Sequence, residues 1–233
     1  MSNRLGRRSI LLAAGALSFP ARAEPAVPAS FDHMLLGCAD LDKGIEFVER
    51  QLGVRAAFGG VHPGRGSRNA LLSLGERRYL EIIAPDPAQP RSADARGLHR
   101  LEAPRLIGWA ARVDDVDALV RTLAAAKLAF EPARPGSRQR PSGQMLRWKA
   151  LSLQDDQGGL LPFFIEWSKD SPHPSTDAPA GCRLERFELA TPGAGELRAL
   201  LSRLQLDVAV ARAPQAALHA RLIGTKGTLS LPA

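Results

Sequence analysis

The predicted order of elements runs once through the chain and then starts again. That repeat restricts the fold to one built from two copies of a unit. Residues 31–37, FDHMLLG, read as a strand ending at Gly37. Asp40 is placed to cap a helix from Leu41 to Glu49, with apolar positions Leu41, Ile45, Phe47, Val48 and Leu52, and Gly53 closes it. A short extended piece, Val54 to Phe58, precedes a glycine-rich turn. Asn69–Leu74 and Tyr79–Ala84 then read as two antiparallel strands around Gly75-Glu76-Arg77. After the proline-rich break PDPAQPRSADARG the order restarts. Leu106–Val113 is a strand, Asp114 or Asp115 caps a helix through Ala125, and Glu131–Arg140 is a loop. Leu146–Gln154 and Leu160–Trp167 are strands. The chain is therefore read as α+β, with βαβββ modules over residues 31–87 and 106–170. A smaller C-terminal unit, 182–233, combines strands with a helix from Pro192 to Leu204 and is expected to pack on the second module.

The first 23 residues are set apart from this pattern. Arg4, Arg7 and Arg8 precede the apolar run Ile10–Phe19, and Ala21-Arg22-Ala23 offers an A-x-A cleavage site. This reads as an export signal, because the apolar run is about half the roughly 20 residues a membrane span needs. Arg7-Arg8 resembles a twin-arginine signal, although Gly6 and Leu12 depart from that motif. A periplasmic or secreted location is expected, with no stable membrane anchor. Removing this segment removes four arginines and no acid, so the net charge falls from +7 to +3. With aromatic residues at 5% and no basic–aromatic stripe, nothing points to nucleic acid. Cys38 and Cys182 are far apart and form no C-x-x-C, so either a disulfide or two separate buried thiols fits.

Three charged or titratable residues fall inside strands that otherwise read as apolar: His33, Glu81 and Glu166. Each shares a face with its i±2 neighbours, Leu35 for His33, Tyr79 and Ile83 for Glu81, and Phe164 for Glu166. A carboxylate on an apolar face is costly unless paired or metal-bound. One imidazole and two carboxylates make a metal set of hard-to-borderline donors. Taken singly, Glu81 could instead pair with Arg77, Arg78 or Lys149, and His33 could be a satisfied core histidine. The loop GGVHPGRGSRN, residues 59–69, adds His62, Arg65, Arg68 and Asn69 as candidates to hold an oxygen-rich group. It carries neither a Walker A nor a dinucleotide fingerprint. Trp109, Trp148, Trp167 and Phe164 either line a cavity or fill the core.

The segments FDHMLLG…ADLDKGIEFVERQLGV, GGVHPGRGSRNALLSLGERRYLEIIAPDP, GWAARVDDVDAL and LPFFIEW together resemble the glyoxalase-like domain proteins of the vicinal oxygen chelate superfamily, over roughly residues 31–175. The resemblance implies a curved mixed sheet of paired βαβββ modules around a cleft. It also implies metal ligands on the first and last strands of each module. Carried over, His33, Glu81 and Glu166 are ligands of a divalent metal of unknown identity, and the fourth position falls on Gly108 or Trp109, which cannot ligate. Glu166 is the residue assigned as general base. His62, Arg65, Arg68, Asn69, Trp109 and Trp167 are assigned to substrate. The implied function is a lyase-, isomerase- or hydrolase-type enzyme on a small oxygenated molecule, or a metal-free protein that binds or sequesters a small ligand in the same cleft. The superfamily forms its cavity within one chain or across a homodimer, and two modules per chain permit the former.

Overall fold

The computed structural model describes residues 26–90, 96–139 and 143–232, so the expected export signal lies outside the described residues. The first module is β1 (Phe31–Gly37), α1 (Leu41–Leu52), β2 (Ala57–His62), β3 (Ser67–Ser73) and β4 (Tyr79–Pro85). The second is β5 (Arg105–Arg112), α2 (Val116–Ala125), β6 (Arg134–Gln139), β7 (Met145–Leu151) and β8 (Phe163–Trp167). Asp40 accepts from the Lys43 N–H at 3.0 Å and Asp115 from the Ala118 N–H at 2.9 Å, so each module's helix opens on a side-chain cap. Gly53 closes α1 in the left-handed region, at φ 77°. The expected loop at Glu131–Arg140 contains β6. β2 extends through Gly59 and Gly60, with a register shift against β3 between Phe58 and Gly60.

All eight strands form one sheet in the order β2-β3-β4-β1-β5-β8-β7-β6. β1 and β5 join the modules as an antiparallel pair at its centre. The pairing is pseudo-symmetric. Val116 opens α2 75 positions after Leu41 opens α1, which makes Gly108 the counterpart of His33 and Ala110 that of Leu35. His33 pairs with Ala110 and Leu35 with Gly108, so the exchange of modules maps one pair onto the other. The sheet curls until its edge strands meet, where Arg138 on β6 donates to the Gly59 carbonyl on β2.

The main core lies on the convex side of the sheet. Met34, Leu36, Leu80, Ile82 and Trp109 are buried there against α1 and α2. The C-terminal unit covers the same side: β9 (Arg183–Thr191), α3 (Ala194–Arg203), β10 (Ala209–Arg212), β11 (Ala217–Ile223) and β12 (Thr228–Leu231) form a second sheet ordered β10-β9-β11-β12. Phe187 on β9 packs against Phe31 (4.9 Å between ring centroids) and Trp109 (5.2 Å). The Lys226 N–H donates to Leu52 at the end of α1, and Arg203 donates to Ala126 at the end of α2. The unit therefore spans both modules rather than resting on the second alone. Cys38 and Cys182 are both buried, free thiols, not a disulfide. No helix among the described residues is long and apolar enough to cross a membrane.

Candidate functional site

The concave side holds a cavity of about 610 Å³ lined by residues of both modules of one chain. Its polar floor comes from the centre of the sheet. β1 and β4 are parallel, with His33 beside Tyr79 and Leu35 beside Glu81, which turns His33, Tyr79 and Glu81 to the same face. The His33 ring stacks on Tyr79 at 4.3 Å and meets the edge of Phe163 at 5.3 Å.

The β1–β5 register shifts between Phe31 and His33, so Asp32 does not alternate away from His33 as a regular strand would require. Asp32 is wholly buried. Its Oδ1 accepts from His33 Nδ1 at 2.7 Å. Its Oδ2 accepts from Trp167 Nε1 at 3.1 Å and from His173 Nε2 at 3.2 Å. The Ser175 N–H donates to His173 Nδ1, which leaves the His173 proton on Nε2, facing Asp32. Burial alone would raise the Asp32 pKa; the bonds from His173 and His33 outweigh it and hold the carboxyl well below the usual range. With its Nδ1 proton directed to Asp32, His33 presents Nε2 to Glu81 Oε2 at 3.6 Å.

Glu81 is 7% exposed and is held from three sides. Asn69 Nδ2 donates to its Oε1 at 2.7 Å, and His62 Nε2 lies 3.7 Å from the same oxygen. Burial would raise the Glu81 pKa, but His62, His33 and Asn69 bring it below the ordinary carboxylate value. The amide of Asn69 is oriented by Arg138, whose Nη1 donates to Asn69 Oδ1 at 3.3 Å. That orientation directs Asn69 Nδ2 to His62 Nε2 as well, at 3.3 Å, and His62 Nδ1 meets Ser67 Oγ at 2.9 Å. Burial pushes the His62 pKa down, and Arg138, Arg65 and Arg96 add to this against the pull of Glu81. The neutral imidazole therefore accepts from Asn69. A β-carbon on Gly59 would collide with Asn69 Oδ1 and Arg138 Nη1, so any larger residue there would push these two groups out of the seam.

The site thus brings together His33, Glu81, His62 and Asn69, with Arg65 exposed on the cavity wall and Trp167 lining it. Three expected residues are elsewhere. Glu166 lies on the convex face with Phe164, because Phe163, Ile165 and Trp167 take the cavity face of β8. Its Oε2 accepts from the Val116 N–H at 2.9 Å, at the start of α2, so it supports a helix terminus and lies outside the cavity lining. Trp109 is fully buried in the convex core, with Nε1 donating to the Leu160 carbonyl at 3.0 Å. Arg68 follows the opposite parity from Asn69 on β3 and does not line the cavity. Asp32, Tyr79 and Arg138 join the site without having been assigned to it from the sequence, and His173 reaches it through Asp32.

The expected metal set is not assembled. Ala110 pairs with Phe163 as Leu35 pairs with Glu81, so the counterpart of Glu81 is Phe163 and that of His33 is Gly108. The second module offers no donor at either place. His33 and Glu81 supply two donors, and His62 Nε2 is taken by Asn69. Among the described residues no group of three or more His, Cys, Asp or Glu side chains is arranged to hold a metal ion.

Comparison with known proteins agrees with this architecture. A family model described as a glyoxalase-like domain matches residues 31–205. The crystal structure of a hypothetical protein from Staphylococcus aureus superposes with a TM-score of 0.60 at 15% identity, over 86% of this chain and 84% of that one. Methylmalonyl-CoA epimerase from Mycobacterium tuberculosis is similar at 24% identity and TM-score 0.43, over 61% of this chain and 91% of its own. A single-substitution variant of Streptomyces coelicolor methylmalonyl-CoA epimerase, in complex with 2-nitronate-propionyl-CoA, is similar at 22% identity and TM-score 0.45, over 63% and 99%. No curated protein matches the chain.

Proposed function

The chain belongs to the glyoxalase-like domain family of the vicinal oxygen chelate superfamily, and on that premise we propose that it is an enzyme that binds a small oxygenated molecule in its cleft and exchanges a proton with it at the His33–Glu81 pair. The observation that supports this reading is the 3.6 Å approach of His33 Nε2 to Glu81 Oε2 at the cavity floor, with Asp32 behind the imidazole. Glu81 is an ionised base with little exposed surface, and Asp32 holds His33 in the tautomer that faces it. For a substrate with a C–H bond beside a carbonyl, Glu81 takes the proton. The C–H electron pair becomes a C=C bond as the carbonyl π pair moves onto oxygen, and the movement reverses when the proton returns to carbon. That is isomerase-type chemistry. Among the described residues a divalent cation would find two protein donors at this point, His33 and Glu81. The residues of segment 1–23 support action outside the cytoplasm.

A second reading is carried by Gly108 and Phe163. A cleft whose second module places no metal donor at the positions equivalent to His33 and Glu81 suits a protein that binds or sequesters its ligand. Deuterium incorporation separates the two. A panel of small ketones and 2-oxo acids in D2O is followed by proton NMR with and without the protein, in chelator and in added Mn2+. Exchange above the buffer rate, lost in Glu81→Gln, is expected. Binding without exchange in both media would leave the sequestering reading.

A further inference from the structure

We propose that the molecule taken by the cleft is a small organic oxyanion with a flat apolar body. Its charged end is held at Arg65 and Arg96, and its body lies against Trp148, Trp167 and Phe163. This rests on the reading of the cleft as the ligand site and adds the chemical class of the ligand.

The cavity wall is unevenly charged. Arg65, Arg96, Arg134 and Arg138 line it against two carboxylates, Glu81 and Glu131. Glu131 lies 3.4 Å from Arg134, and Glu81 is engaged by Asn69 and the two imidazoles. Arg138 is bonded to Gly59 and Asn69. Among the described residues neither Arg65 nor Arg96 is in an ion pair. Both nevertheless act on the polar floor: each disfavours a charged His62, and Arg96 helps to keep Glu81 ionised. An anion between them would remove a local excess of positive charge.

The backbone that carries Arg65 is also held in place before any ligand arrives. The β2–β3 turn that carries it is stapled by Gln89, whose Oε1 accepts from the Gly64 N–H at 2.9 Å and the Gly66 N–H at 3.2 Å. Gln89 Nε2 donates to the His62 carbonyl at 3.2 Å and to Asp86 at 2.8 Å. A turn fixed at both ends loses little freedom on binding.

The other part of the wall is aromatic. Trp148 and Trp167 lie 5.5 Å apart at an interplanar angle of 54°, and both are half-buried while lining the cavity. Their remaining exposed surface faces a space of about 610 Å³, the size of a small-molecule site. A flat apolar group covers that surface where a compact hydrophilic anion would not.

The test uses the purified protein and its tryptophan fluorescence. Probes are 3-phenylpropionate, its neutral amide 3-phenylpropionamide, phenyl phosphate, and acetate as an anion without the apolar body. The acid is expected to bind at least about tenfold more tightly than the amide or acetate, with affinity falling as salt is added. Arg65→Gln and Arg96→Gln should each weaken the acid several-fold and leave the amide unchanged. Phenyl phosphate binding more tightly than 3-phenylpropionate would assign the oxyanion to a phosphate ester; the reverse order would assign it to a carboxylate. An amide that binds as well as the acid, arginine variants without effect, or no binding by either anion at millimolar concentration would overturn the proposal. Glu81→Gln separates this proposal from the proton-transfer reading, since it removes exchange and leaves anion binding in place.

Discussion

Glu81 and Phe163 occupy equivalent places in the two modules, each beside the residue that lies two positions beyond the module's counterpart of His33. One module places a carboxylate over the cavity floor and the other an aromatic ring. The site is therefore asymmetric although the sheet is not. Its chemistry lies with β1, β3 and β4, while β7 and β8 supply the apolar wall.

That asymmetry makes Glu166 a structural residue. Glu166→Ala should lower stability by about 0.5–2 kcal/mol through loss of its bond to the α2 terminus, read as a shifted denaturation midpoint. Anion binding should be unchanged. A variant that folds as well as the parent but no longer binds would contradict this placement.

Asp32 sets the tautomer of His33, so Asp32→Asn should reduce proton exchange by about 100-fold or more. The imidazole nitrogen shifts of His33 should move with it, since an amide no longer fixes the proton on Nδ1. Unchanged shifts would show that another group orients the ring.

The pH dependence of stability follows from the directions of the shifts. His62 and His173 have folded pKa values below the ordinary 6.5, driven first by burial. The unfolded chain then binds more protons below that value, so stability present above pH 6.5 falls as pH drops through the folded values. Asp32 and Glu81 are also lowered, from 3.8 and 4.5, and their contribution disappears further into acid. Melting temperature should decline in two stages, and His62→Gln with His173→Gln should remove the first. A flat profile from about pH 7 to about pH 5 in the parent would contradict these directions.

The meeting of β2 and β6 depends on Gly59. Gly59→Ala should force Asn69 and Arg138 apart and destabilise the fold by about 1–3 kcal/mol, the usual range for overpacking. Proton exchange should fall with it, because Arg138 no longer orients the Asn69 amide that holds Glu81. Arg138→Gln should reproduce the loss of exchange, and full exchange in both variants would show that the seam does not support the site.

Much of this was legible in the sequence. Element order pointed to the duplicated sheet, and alternation within β1 and β4 placed His33 and Glu81 on one face. His62 and Asn69 were visible as polar residues in a glycine-rich turn. Alternation groups residues by face without saying which face is concave. Glu166 shares its face with Phe164, and that face is the convex one; Trp109 joins the core there because its partner Met34 faces it. Asp32 was hidden by a register shift that no alternation pattern encodes. His173 lies 141 positions from Asp32, and Arg138 lies 69 from Asn69, so only the tertiary fold brings either pair together.

The most direct measurement of the central claim compares deuterium incorporation by the parent protein, Glu81→Gln and Glu166→Gln, using a 2-oxo acid that the parent binds. Exchange by the parent and by Glu166→Gln, with none by Glu81→Gln, is the predicted result. Loss of exchange in Glu166→Gln with retention in Glu81→Gln would move the chemistry to the other face of β8 and contradict the account.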